Sequence, residues 1–280
     1  MKERVIALGF FDGVHLGHGA LLRRTAEEAA RRGCTPAVFT FDRAPKEAVT
    51  GVPCPLLNSP EDRQALIRRL YGIEDVLMAP FDREMMTTPW DAFVTEILVK
   101  RYHTVHVVAG HDHHFGYKNQ GSPELLAEKC RELGVGCDII PKVERAGITV
   151  SSTYIRRLVE LGQMERAAEF LGHPHVLSQT VRHGRRIGRT IGIPTINLTV
   201  PPHVLTPSHG VYAARACLSD GRELMGVTNV GTRPTVHNGS DVTVETFLLD
   251  FDGDLYGHEI RMEFYKYLRP EQKFASMQAL

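Results

Sequence analysis

The fold this sequence predicts is an α/β domain with a parallel sheet, followed by a small antiparallel six-stranded β-barrel, and three observations predict it. Short apolar runs alternate with capped amphipathic stretches through the first half. Beyond residue 175 the helical period gives way to short strand candidates separated by turns. At 280 residues, finally, the chain is long enough for two cores. Strand–helix alternation covers both faces of a parallel sheet, whereas closely spaced strands between Gly, Pro, Asn and Asp turns close on themselves.

The strand candidates of the first half are residues 5–8, 37–41, 75–79, 105–109 and 136–140. A helical pattern over 20–32 stops at Gly33. Ser59-Pro60-Glu61, Thr88-Pro89-Trp90 and Ser122-Pro123-Glu124 each offer a hydroxyl N-cap followed by proline at the first helical position, where its missing N–H costs nothing. Gly72 and Gly134 suit left-handed C-caps, and short helices over 153–161 and 164–171 end at Gly162 and Gly172. The strand candidates of the second half are 177–182, 195–198, 211–218, 223–229, 243–251 and 259–267. Pro201-Pro202, Ser219-Asp220-Gly221, Asn238-Gly239 and Asp252-Gly253 mark turns between them. The domains are therefore expected at 1–175 and 176–280.

Thirty-three basic residues balance 33 acidic ones, which gives no general attraction to nucleic acid or to an anionic membrane. No apolar run approaches the roughly 20 residues that span a bilayer, and Met1-Lys2-Glu3-Arg4 leads straight into a strand without a secretory apolar region. Five scattered cysteines without a Cys-x-x-Cys pair fit reduced thiols in a cytoplasmic protein.

The richest segment is Gly9-Phe10-Phe11-Asp12-Gly13-Val14-His15-Leu16-Gly17-His18, between the first strand and the first helix. Strand, glycine turn and helix deliver backbone N–H groups and a positive helix end to one spot, which favours phosphate. His15 and His18 flank Gly17, where a side chain would obstruct close approach. Val150-Ser151-Ser152-Thr153-Tyr154-Ile155-Arg156 lies at a coil-to-helix junction, with Ser152 and Thr153 as donors and Arg156 one turn later as a cation. In the second half, the run from Gly184 through Arg189 to Pro194 combines glycines and arginines as a phosphate flap would. It leads into Thr195-Ile196-Asn197, whose hydroxyl and amide share one face of an extended segment. Then follow Asn229-Val230-Gly231-Thr232-Arg233-Pro234-Thr235, and Glu245 early in an apolar strand. His111-Asp112-His113-His114 invites a metal reading but lacks a fourth ligand.

These motifs, in this order over residues 4–280, resemble the prokaryotic bifunctional riboflavin kinase/FMN adenylyltransferase (FAD synthetase) family. The resemblance implies a Rossmann-like nucleotidylyltransferase domain and a riboflavin kinase barrel, the latter short at its C-terminal helix. It implies that ATP is held by Gly9, Phe10, Asp12, Gly13, Gly17, Ser152 and Thr153, while His15, His18 and Arg156 act on its phosphates as FMN attacks the α-phosphorus. In the kinase half it implies ATP contacts from Gly184, Arg189 and Asn229, magnesium at Thr195 and Asn197, and a flavin contact from Arg233. Glu245 is then the carboxylate that takes the proton from the ribityl hydroxyl. Gly110, Asp112, Phe115 and Gly116 match the loop at the flavin end of the adenylyltransferase site.

The implied small molecules are ATP with Mg2+, riboflavin, FMN and FAD. No nucleic-acid or membrane partner is implied, and oligomeric state is left open. The chain departs from the family pattern at Arg43-Ala44, His113, Asn119 and Gln179. The first three cluster on the flavin side and keep open a riboflavin kinase with a weak or inactive adenylyltransferase half. A flavin- or nucleotide-responsive regulator is a further alternative.

Overall fold

The computed structural model describes residues 2–182, 195–234 and 240–272. In chain order the elements are β1 (Arg4–Leu8), α1 (Leu16–Arg32), β2 (Thr35–Phe41), α2 (Pro45–Thr50), α3 (Pro60–Tyr71), β3 (Asp75–Ala79), α4 (Arg83–Thr87) and α5 (Trp90–Ala92). A π-helical stretch (Phe93–Arg101) leads to β4 (Thr104–Gly110), α6 (Pro123–Glu132), β5 (Gly136–Ile140), the hairpin β6 (Glu144–Arg145) and β7 (Ile148–Thr149), α7 (Ser152–Glu160) and α8 (Met164–Leu171). The remaining strands are β8 (His175–Thr180), β9 (Thr195–Thr199), β10 (Gly210–Leu218), β11 (Glu223–Pro234), β12 (Ser240–Leu248) and β13 (Glu259–Arg269). They form two compact units: Met1–Leu56 with Arg63–Ser151, and Leu57–Asp62 with Ser152–Leu280. The helices at 152–171 thus pack with the barrel, although composition changes only near residue 175.

In the first unit five parallel strands pair in the order β3-β2-β1-β4-β5. Val5, Ile6, Ala7 and Leu8 are all buried, as expected of a central parallel strand covered on both faces. Order reverses between β1 and β4, and such a switch point opens a crevice at the carboxyl ends of the strands. Helix α1 begins four residues before the expected 20–32, because His15 is its N-cap. It ends where expected, with Gly33 in the left-handed conformation (φ 67°) and Arg31 and Arg32 in the last turn, complementing the helix dipole.

Ser122 caps α6 as expected, accepting the Leu125 N–H at 3.3 Å, and Ser59 accepts the Asp62 N–H at 3.0 Å. Thr88 does not cap the next helix. Its hydroxyl donates back to the Glu84 carbonyl at 2.8 Å, finishing α4, and Pro89 takes the cap position instead.

The second unit is one antiparallel sheet in the order β8-β13-β10-β11-β12-β9. Its two edges meet where the Arg182 N–H donates to the Asn197 carbonyl at 2.9 Å, curling the sheet into a barrel. Leu198, Tyr212, Ala214, Val230, Val244, Met262 and Phe264 are completely buried and fill the interior, and their strand neighbours alternate outward. The segment Leu57–Asp62 belongs here because the Asp62 carboxylate accepts the Ser178 N–H at 3.0 Å. Strand β12 starts and ends three residues earlier than the expected 243–251. Leu249 bonds back to the Met225 carbonyl, and Asp250 turns the chain at φ 53°.

Candidate active sites

After β1 the chain turns sharply through Phe11 (φ 57°) and Val14 (φ 43°), both non-glycine residues in the left-handed region. For a β-branched valine this is a strained conformation, and strain of this kind collects where a loop must hold a particular shape. Phe11, Asp12 and Val14 are buried, so the shape is set by packing. The loop ends at His15, whose Nδ1 accepts the His18 backbone N–H at 3.2 Å. An accepting Nδ1 leaves the proton of the neutral ring on Nε2, making His15 a donor on its far side.

The His15 and His18 rings stack with centroids 3.6 Å apart and planes 11° apart. Burial holds the His18 pKa well below its ordinary value, with smaller effects from the charges of His15 and Arg63. Its Nδ1 is buried with no hydrogen-bond partner among the described residues. A buried imidazole nitrogen beside a helix N-terminus is chemically suited to bond a polar ligand. A Cβ at Gly17 would stand 3.1 Å from the His15 ring, which would have to give by a few tenths of an ångström.

Sequence reasoning missed Arg63. It is 1% exposed, and its guanidinium donates to the Phe10 carbonyl at 2.5 Å and the Phe41 carbonyl at 2.7 Å. It also lies over the Phe10 ring, 4.4 Å from its centroid. One side chain thereby ties the loop after β1 to the end of β2. Nothing local distinguishes this arginine, since its partners come from other elements.

Beside the loop is a cavity of about 630 Å3 in the first unit, within the range of small-molecule sites. Gly9 lines one part of it; Phe39, Phe41, Phe93 and Phe115 make it aromatic; Lys46 and Lys118 make it basic; and no Asp or Glu among the described residues lines it. Phe115 is among the cavity's lining residues. Asp112 is absent from the lining, and its side chain is 81% exposed. His113 also lines the cavity and stacks on Phe115 at 5.5 Å and 16°. Burial lowers its pKa to about 4.

On the barrel, Asn197 of β9 pairs with Glu245 of β12, and Glu245 pairs with Asn229 of β11. Directly paired residues face the same side, so three of the sequence-predicted groups form one row across three strands. Thr195 shares that face, two residues from Asn197. Arg233 lies farther along β11, paired with Asp241. Ser152 and Thr153 open α7, with Arg156 one turn on; this helix belongs to the second unit. Gly184, Arg189 and the turn at Asn238-Gly239 lie outside the described residues, as does the end of the chain from residue 273, where the short closing helix was expected. A second residue that sequence reasoning missed is Glu271, whose Oε1 accepts from Asn229 Nδ2 at 3.1 Å.

Comparison with known proteins bears on both halves. The family profile for FAD synthetase matches residues 1–154, and the one for riboflavin kinase matches residues 171–280. The chain belongs to the bifunctional riboflavin kinase/FMN adenylyltransferase family. A relative of that name from Listeria monocytogenes is 35% identical over 280 residues, covering 99% of this chain and 88% of the relative. One from Escherichia coli K12 is 36% identical over 278 residues, with the same coverage. Among solved structures, one from Streptococcus pneumoniae described as a macrolide-efflux protein superposes with a TM-score of 0.85 at 28% identity, covering 99% of this chain and 90% of that one. No helix among the described residues is long and apolar enough to cross a membrane. As a member of the bifunctional family, the enzyme phosphorylates riboflavin to FMN and adenylylates FMN to FAD.

Proposed function

We propose that the two reactions use separate residue sets, both fed by ATP with Mg2+, with adenylyl transfer assigned to residues 1–175 and the kinase to residues 176–280. One observation carries this reading. His15, His18 and the aromatic cavity fall in the first compact unit, whereas the row Asn197–Glu245–Asn229 falls in the second.

In the adenylyltransferase half, the cavity takes the flavin ring of FMN, with Phe115 against it and Lys46 and Lys118 favouring an anionic ligand over a neutral one. Gly9, Phe10, Asp12, Gly13 and Gly17 form the loop that receives ATP. An FMN phosphate oxygen attacks the α-phosphorus as the bond to the β-phosphate oxygen breaks and pyrophosphate leaves. His15 and His18, as neutral N–H donors beside the N-terminus of α1, stabilise the charge that develops on the phosphoryl oxygens. Ser152, Thr153 and Arg156 are assigned to the triphosphate on the strength of their motif.

In the kinase half, the ribityl 5′-hydroxyl attacks the γ-phosphorus, Glu245 accepts its proton and ADP leaves. Asn229, Gly184 and Arg189 are assigned to ATP and Arg233 to the flavin. The hydroxyl of Thr195 and the amide of Asn197 are neutral oxygen ligands, which suits a magnesium ion whose charge the ATP phosphates already balance. We place the enzyme in the cytoplasm, without nucleic-acid or membrane partners.

The test is a chromatographic product assay with riboflavin or FMN supplied separately. Glu245→Gln should abolish FMN formation and spare FAD formation from added FMN; His18→Ala should do the reverse. If either substitution silences both reactions in folded protein, the two-site assignment is wrong. The departures at Arg43-Ala44, His113 and Asn119 favour one second reading, a weak adenylyltransferase, which FMN accumulating without FAD would support.

A further inference from the structure

We propose that Glu271 is a positioning residue of the kinase half, which orients the Asn229 carboxamide for ATP; this rests on the assignment of Asn229 and Glu245 to that site. Asn229 and Gly231 stand two residues apart on the same face of β11, opposite Glu245 and Thr243 of β12. Glu271, which follows β13 after Pro270, folds back over both. Its Oε1 accepts from Asn229 Nδ2 at 3.1 Å, and a Cβ built on Gly231 would stand 2.1 Å from the same oxygen.

A carboxylate can only accept hydrogen bonds, whereas a carboxamide offers a donor end and an acceptor end. Glu271 therefore admits only one orientation of the Asn229 amide: nitrogen toward the carboxylate, carbonyl oxygen turned away. Without it, the Asn229 amide would lose the partner that fixes this orientation. Gly231 is what makes the approach possible. Outward-facing β11 residues such as Val227 are substantially exposed, yet Gly231 is buried, because the carboxylate occupies the space a side chain would take.

The group a Gly231 side chain would displace is the far end of a flexible glutamate rather than backbone. Gly231→Ala should accordingly push the carboxylate away while leaving the strand intact. Two substitutions 40 residues apart thus probe the same contact. Glu271→Gln keeps the size of the side chain but can turn either end toward Asn229.

The experiment measures total FMN plus FAD formed from riboflavin at varied ATP, for Glu271→Gln, Gly231→Ala and the double variant. Each single variant should raise the KM for ATP about tenfold, in line with loss of a group that orients a ligand-binding side chain. The KM for riboflavin, the melting temperature and FAD formation from supplied FMN should stay unchanged. The double variant should match the singles, since both remove one interaction. An unchanged KM for ATP in Glu271→Gln, or additive losses in the double variant, would overturn the proposal. Failure of the underlying reading looks different: Glu245→Gln would then still phosphorylate riboflavin.

Discussion

His15 and His18 are joined twice: the Nδ1 of His15 accepts the His18 backbone N–H at 3.2 Å, and their rings stack at 3.6 Å. The first histidine therefore caps the helix that carries the second, and in doing so it sets its own tautomer. Capping and phosphate binding can be separated by substitution. His15→Ala removes the cap and should cost about 1 kcal/mol of stability, along with FAD formation. His15→Asn restores a capping acceptor, but its amide N–H is too close to the backbone to stand where the imidazole Nε2–H does. It should recover the stability, read as a melting temperature, and remain defective in FAD formation; recovery of both would reduce His15 to a cap.

Arg63 predicts a selective defect. Lysine carries the same charge but cannot reach the Phe10 and Phe41 carbonyls at once as the forked guanidinium does. Arg63→Lys should lose about 2 kcal/mol, the scale of a charge-assisted hydrogen bond in a buried site, and FAD formation should fall more than tenfold as the loop loosens. FMN formation from riboflavin should persist. Equal loss of both reactions would mean that Arg63 supports the whole molecule rather than the loop.

What the sequence disclosed follows the range of the interactions involved. Strands β3 and β5 have the expected bounds, because Gly72 and Gly134 stop the helix before each strand with a left-handed turn that is written in the local sequence. The start of α1 was illegible since its cap is a histidine, outside the usual Ser, Thr, Asp and Asn set. Thr88 carried the right pattern at the wrong helix, finishing α4 rather than opening α5. Among the proposed site residues, His15 and His18 stood out through motif spacing, whereas Asn197, Asn229 and Glu245 rested on the family resemblance; strand pairing aligns these last three in one row. Arg63 and Glu271 were silent: their partners Phe10 and Asn229 are 53 and 42 residues away, and no local pattern encodes such a contact.

His113 bears on whether the flavin-side departures matter. Its Nε2 is buried without a partner among the described residues, and leaving such a group unsatisfied costs about 1–3 kcal/mol. His113→Phe would keep an aromatic ring against Phe115 while removing the orphaned nitrogen. Its melting temperature should equal or exceed that of the parent, and its KM for FMN should not rise. A clear increase in that KM would instead give the imidazole a direct part in flavin recognition.

His175, at the start of β8, predicts how stability depends on pH. It is 2% exposed, its Nδ1 lacks a partner among the described residues, and burial, aided by His173, lowers its pKa to about 4 from 6.5. Between those values the unfolded chain binds a proton that the folded chain refuses. Stability is therefore fully present above pH 6.5 and is lost as pH falls toward 4, by roughly 3 kcal/mol for this group. His175→Leu removes the titration. Urea midpoints at pH 7 and pH 5 should fall less in that variant than in the parent, so the gap between the two proteins changes with pH in the variant's favour as acid is added. Parallel falls would show that the ring is protonated as readily inside the barrel unit as in the unfolded chain.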